Sequence, residues 1–214
     1  MTLEPLAIAG GITGAIEVAA GIVAILNARD KLYSWLKLFG IGALLLGVGQ
    51  IVCKLIGHGI LGTPITFAIG IPFKTLGLSI LIYSILKAID FPYMKLAVAL
   101  IAFSAIYFMI GSIYSLGVTA RYHNAVLFGI PHLLFLTVLP WLTASALFYI
   151  YKTMKDRGAL TFGIGLLLYG LATIVIMYLI FKGASMFEAM TLGLGLRGLG
   201  VAVMLLGFFI AEME

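Results

Sequence analysis

Seven stretches of this chain are each long and apolar enough to cross a bilayer, and together they take up nearly all of its 214 residues. A spanning helix needs about 20 mostly apolar residues. The sequence supplies such segments at Pro5–Asn27, Tyr33–Gly57, Pro64–Ala88, Tyr93–Gly117, Ala125–Tyr151, Ala159–Phe181 and Met186–Ala211. Short polar breaks separate them, at Asn27–Asp30, Gly57–Gly59, Asp90–Pro92, Lys155–Gly158 and Lys182–Gly183. With 63% of residues hydrophobic and 10% charged, the apolar surface cannot be hidden in a water-soluble core, since soluble domains are about half apolar and a quarter charged. Hydrocarbon offers no partners to backbone N–H and C=O groups, which must therefore bond within each segment. The expected fold is an all-α, polytopic integral membrane bundle of seven transmembrane helices, a single transmembrane domain over residues 1–214, with the lipid bilayer as its first partner. Glycine is abundant, at 26 residues, as it is where membrane helices pack closely. Met1–Pro5 has neither the basic region nor the cleavage site of a signal peptide, so the first helix is expected to be retained.

The formal net charge of +5 does not point to nucleic acid, because the basic residues sit in loops that flank the helices. Arg29, Lys31, Lys37, Lys87, Lys95, Lys152, Lys155 and Arg157 flank the first, third and fifth loops, whereas Lys54, Arg121 and Lys182 fall at the opposite ends. Basic residues stay on the cytoplasmic side. The expected topology in the plasma membrane has the N-terminus outside and the C-terminus in the cytoplasm. The single cysteine, Cys53, excludes an intrachain disulfide.

The chain also repeats itself. Phe39–Val52 (FGIGALLLGVGQIV) aligns without gaps to Phe162–Val175 (FGIGLLLYGLATIV), a shift of 123 positions, with nine identities in fourteen. At the same shift, Gly70, Lys74, Leu76 and Gly77 fall on Gly193, Arg197, Leu199 and Gly200. Chance matches between Gly/Leu-rich helices would not hold one register across two helices and a loop. Residues 1–90 and 121–214 are therefore expected to be two three-helix repeats joined by a connector helix within 91–120. The first and fifth helices share little sequence, and their pairing follows only from this plan. Four helices separate the copies, which makes the repeat parallel. The resulting 3+1+3 plan resembles that of the SWEET/PQ-loop transporters and the seven-helix plan of microbial rhodopsins. The resemblance covers the plan alone: the Pro-Gln dipeptide is absent, and the basic residue of the seventh helix is Arg197 where a retinal-binding lysine would be expected.

Charges inside hydrocarbon cost several kcal/mol unless paired or hydrated. Three lie deep: Glu17, Lys74 and Arg197, each on an odd-numbered helix and about ten to thirteen residues from its outer end, hence in one layer at about 1.5 Å per residue. Gly10, Gly14 and Gly21 share a stripe with Glu17. Gly70 and Gly77 do the same for Lys74, and Gly193 and Gly200 for Arg197, so the three charges are expected to face the bundle. One function-free explanation is a buried ion network that fixes helix register. The functional one is a site with two cations and one carboxylate, suited to a small anionic or proton-coupled solute. Gln50 and its repeat counterpart Thr173 would line this cavity, with Trp141 as a flat wall. Pro72 and Pro140 would expose the carbonyls of Ala68 and Leu136 nearby. Lys54 is read as snorkelling to the interface, and Tyr114 as part of an aromatic belt.

His58 and His132, both near outer helix ends, are weak haem candidates, and His123 falls in a loop. No Cys/His spacing suggests a metal, and the cofactor, if any, is unknown. No intramembrane aspartate pair, HExxH, GxSxG or Walker loop is present, so no catalytic residue is assigned and enzyme activity has no support. The leading expectation is a transporter or channel for a small solute or ion, with a central site between the repeats. The rival from another class is a receptor or a small subunit of a larger membrane complex, and a second copy or a membrane partner protein is compatible with either.

Overall fold

The computed structural model describes residues 5–28, 34–61, 64–118 and 129–213, and every regular element among them is helical. Helix α1 spans Pro5–Asn27. Helix α2 is α-helical over Ser34–Gln50 and continues over Ile51–Leu61 in the wider π geometry. Helices α3 and α4 span Pro64–Ala88 and Met94–Val118. Helix α5 runs through Ile130–Leu133, a π turn at Leu134–Val138, and Leu139–Met154. Helices α6 and α7 span Arg157–Phe181 and Met186–Met213. The π turn of α5 precedes Pro140, which has no N–H to give. The Leu139 N–H reaches back five residues to the Leu134 carbonyl, so the proline is absorbed by a wider turn without a break.

Local chemistry sets the helix ends. Lys155 takes the left-handed conformation (φ 61°) that closes α5, and the next residue, Asp156, caps α6 by accepting the Ala159 N–H at 3.0 Å. At the start of α7, Ser185 and Glu188 cap each other: the Ser185 N–H donates to Glu188 Oε2 at 3.0 Å, and the Glu188 N–H donates to Ser185 Oγ at 3.2 Å. These short polar devices allow reversals between apolar helices without long loops.

Each helix packs against its sequence neighbours, and α1 closes the ring by packing on α7. Among the described residues, seven helices are long and apolar enough to cross a membrane. Their outward faces carry large apolar side chains such as Leu96, Phe103, Ile106 and Ile110 on α4 and Ile12 and Leu26 on α1, a surface suited to lipid and not to water. The fold is an all-α seven-helix bundle, and the chain is an integral membrane protein.

Between lipid-soluble helices there is little hydrophobic drive to associate, so close backbone approach supplies much of the cohesion. The seam between α2 and α3 is set by Gly42 and Gly77: a Cβ on either would come within 2.8 Å or 2.7 Å of the other's carbonyl oxygen. In the seam between α6 and α7, Gly165 and Gly200 stand in the same relation, at 2.6 Å and 2.7 Å. These two pairs lie 123 positions apart. The same shift relates other contacts. Gly47 receives Gly14 and Val18 from α1, while Gly170 receives Thr137 and Trp141 from α5; Gly40 receives Ile25, and Gly163 receives Phe148.

Candidate functional site

Inside the ring lies a cavity of about 120 Å³ to which all seven helices contribute. Ten of its lining residues form five pairs separated by 123 positions: Leu46 and Tyr169, Gln50 and Thr173, Lys54 and Met177, Ile71 and Leu194, Lys74 and Arg197. Glu17 has no such counterpart in the lining, because the position 123 residues later is Pro140, which is buried in α5.

Glu17 is held by the small face of α1. Gly14 and Gly21 bring α1 against Gly47 and Gly40 of α2, while Thr13 donates its hydroxyl to the Leu194 carbonyl of α7 at 3.0 Å. Because α1 and α7 run the same way, the turn below Thr13 and the turn below Leu194 bring Glu17 and Arg197 to one level. On α3, Lys74 packs against Gly49 of α2, whose missing side chain leaves room for the lysine stem. The charges of Lys74 and Arg197 both act on the Glu17 carboxylate. Glu17 itself is only 2% exposed.

Arg197 is the most elaborately held of the cations. Its Nη2 donates to Thr173 Oγ1 at 3.2 Å, and its guanidinium lies over the Tyr169 ring, 5.7 Å from the centroid. Among the described residues, Glu17 Oε2, Gln50 Nε2 and Arg197 Nε are buried in the lining without a hydrogen-bond partner. Burying such atoms unsatisfied is costly, and native proteins rarely do it without a ligand or water to complete the set.

Lys54 departs from the sequence expectation. It is 2% exposed and lines the cavity instead of reaching the interface, with its ammonium 3.7 Å from the Met190 sulfur. Gly10 explains this: its bare backbone lies against the Lys54 stem, which a larger residue would push away. The cavity thus holds three basic side chains, Lys54, Lys74 and Arg197, and among the described residues one carboxylate, Glu17. His132 also faces it, with its ring 4.6 Å from that of Phe108. Trp141 does not line it. Its Nε1 donates to the Leu167 carbonyl at 3.2 Å and its ring fills the space over Gly170, so it serves the α5–α6 seam. Tyr114 is half exposed on the outer surface of α4. The side chain of His58, and Arg121 and His123 altogether, lie outside the described residues.

A second recess of about 150 Å³ lies at the opposite end of the ring, lined by Trp35, Ile85, Leu147, Asp156 and Phe162 among others. Phe39 stands on α2 between Trp35 of this recess and Leu46 of the central cavity, and meets Phe162 edge to face at 5.9 Å. Phe39 and Phe162 are again 123 positions apart.

The sequence does not mark Tyr169 or Lys54 as site residues, and it marks His132 only as a weak haem candidate. A signal for Tyr169 existed: within the aligned segments it is one of five positions where the two copies differ, and two of those five, Leu46/Tyr169 and Gln50/Thr173, line the cavity. No family model matches this chain, nor does any curated protein or solved structure.

Proposed function

We propose that this protein is a transporter or channel for a small anionic or proton-coupled solute, with its site between two parallel three-helix repeats, α1–α3 and α5–α7, joined by α4. The observation that carries the reading is the cavity lining: five pairs of residues at one constant spacing, arranged around buried polar atoms that the protein leaves unsatisfied. A site built from equivalent positions of two units lies on the axis between them. Small rocking of one unit against the other can then open it to either side in turn. Lys74 and Arg197 are the cationic ligands in this scheme, and Glu17 is the acidic, proton-coupling partner. Gln50 and Thr173 shape the polar wall, and Lys54 adds a third positive charge. The aromatic pair Phe39 and Phe162 supplies the closure between the cavity and the recess beyond it. The excess of basic residues at the first, third and fifth loops supports an outer N-terminus and a cytoplasmic C-terminus in the plasma membrane, so the cavity opens outward and the Trp35 recess faces the cytoplasm.

The test is uptake by purified protein in liposomes. Lys74→Met and Arg197→Met each abolish flux, while both variants retain the cooperative thermal unfolding of the parent in detergent. Parental flux in both would overturn the site, and a stoichiometric partner that must be present for any activity would replace transport with the role of a subunit.

A further inference from the structure

The cavity is chemically divided along its depth. Along α7, Arg197 is eleven residues beyond Met186 and Met190 only four. On α6, Tyr169 and Thr173 are deeper than Met177 and Ile180, which are close to the end at Phe181. The deep part holds Glu17, Lys74 and Arg197, and the shallow part is walled mainly by apolar side chains, Phe135, Leu136, Ile176, Met177 and Ile180 among them, with Lys54 beside Met190 as its basic group. Of the three atoms, Gln50 Nε2 and Arg197 Nε are donors, and Glu17 Oε2 is an acceptor when its carboxyl is ionised, the state in which it holds the donor of a ligand.

A ligand that fits must therefore present an anionic acceptor, a donor close beside it and a small apolar body. Phosphate or sulfate would satisfy the donors but set negative charge against Glu17, and would leave the apolar wall facing a strongly hydrated ion. A plain carboxylate leaves Glu17 Oε2 unpaired. An amine alone would meet three basic residues and one acid. The cavity of about 120 Å³ is several times the roughly 10–15 Å³ that one water needs, so it has room for a small solute. We infer that the cavity takes a small aliphatic carboxylic acid bearing an ammonium or hydroxyl on the adjacent carbon. Its carboxylate lies on Arg197, Lys74 and Gln50, its ammonium or hydroxyl donates to Glu17, and its aliphatic group points toward Phe135, Leu136 and Met177. This inference rests on reading the cavity as a solute site, but it concerns binding and needs no flux.

Isothermal titration of the detergent-purified protein decides it, with L-valine, 2-hydroxyisovalerate, isovalerate, isobutylamine, phosphate and sulfate as probes. Either valine or 2-hydroxyisovalerate binds saturably and at least tenfold tighter than isovalerate and isobutylamine, and the choice between those two tells whether the donor is ammonium or hydroxyl. Glu17→Gln narrows the gap over isovalerate to less than threefold, and Arg197→Met removes carboxylate binding. Wild-type protein alone is sufficient to refute the inference: equal or tighter binding of isovalerate, phosphate or sulfate overturns it, as does the absence of heat from every probe. Binding of valine without flux in liposomes would sink the transport reading and leave this one standing, and flux of an inorganic anion without acid binding would do the reverse.

Discussion

Gly42→Ala is the most direct mechanical test of the bundle. The added Cβ would sit 2.8 Å from the Gly77 carbonyl oxygen and 2.7 Å from the Leu81 amide nitrogen, both backbone atoms that no rotamer change can move. Ordinary contact begins near 3.4 Å, so α2 and α3 must separate by about 0.6 Å. A gap of that size forfeits roughly a quarter of each dispersion contact along the seam, and overpacking of this kind costs about 1–3 kcal/mol. Gly165→Ala meets the Gly200 oxygen at 2.6 Å and the Met204 nitrogen at 2.8 Å, so its cost should match that of Gly42→Ala to within about 1 kcal/mol. Gly195 is the control: a Cβ there meets nothing within 4 Å, so Gly195→Ala is neutral or gains up to about 1 kcal/mol from helix propensity. Unfolding of the three variants in mixed micelles, followed by far-ultraviolet circular dichroism, gives the comparison. A neutral Gly42→Ala, or a Gly195→Ala as damaging as the other two, would refute the close-approach reasoning.

Three other outcomes are expected. Phe39→Ala and Phe162→Ala each raise passive leak of a small anion through liposomes containing the protein, since either ring is half of the closure proposed above from their edge-to-face contact; unchanged leak in both removes it. Trp141→Phe keeps the ring over Gly170 but loses the bond to the Leu167 carbonyl, and should lower unfolding free energy by about 0.5–1.5 kcal/mol in the same micelle assay. Asp156→Ala removes the cap of α6 and costs about 1 kcal/mol, while Asp156→Asn keeps an acceptor and recovers most of it.

The helices were legible because spanning hydrocarbon leaves the chain little choice: α1 and α3 begin and end where apolar length alone puts them, and Arg157 extends α6 only because Asp156 caps it. The two-helix match from Phe39 to Gly77 was legible for a related reason. Gly42, Gly77, Gly165 and Gly200 admit no larger residue, so the identity is kept where two backbones touch. The relation between α1 and α5 was not legible. Gly40 and Gly47 in one half, and Gly163 and Gly170 in the other, are the receiving hollows and stay glycine. What fills them differs: Gly14 and Val18 against Thr137 and Trp141. The hollow stays the same while the filler varies, so sequence does not relate α1 to α5, and it is the contacts that support pairing them in the proposed repeat. Lys54 was misjudged because its depth along α2 fits a snorkelling lysine. The hollow that draws it inward belongs to Gly10 on another helix, and no pattern within α2 reports it.

The cavity combines near-equivalence in packing with inequality in charge, and the inequality bears on function. Lys74 and Arg197 occupy equivalent positions, yet Arg197 is braced by Thr173 and Tyr169, whereas the counterparts of those two are Gln50 and Leu46, and Leu46 has no π face to offer a cation. Glu17 on α1 is matched by Pro140 on α5, where no side chain can carry charge or donate. Two cations related by the axis would grip a symmetric anion equally from both sides. A single carboxylate on one side gives the cavity a donor-accepting wall and an opposite wall without one, so a bound molecule has one preferred orientation. In the proposed transporter the close glycine contacts lie within each three-helix unit, α1–α2 and α2–α3 in one and α5–α6 and α6–α7 in the other, so they hold each unit together as a body while the two move against each other. In that reading the groups that touch solute are free to differ, and residue identity, not spacing, changes between the copies at Glu17/Pro140, Gln50/Thr173 and Leu46/Tyr169.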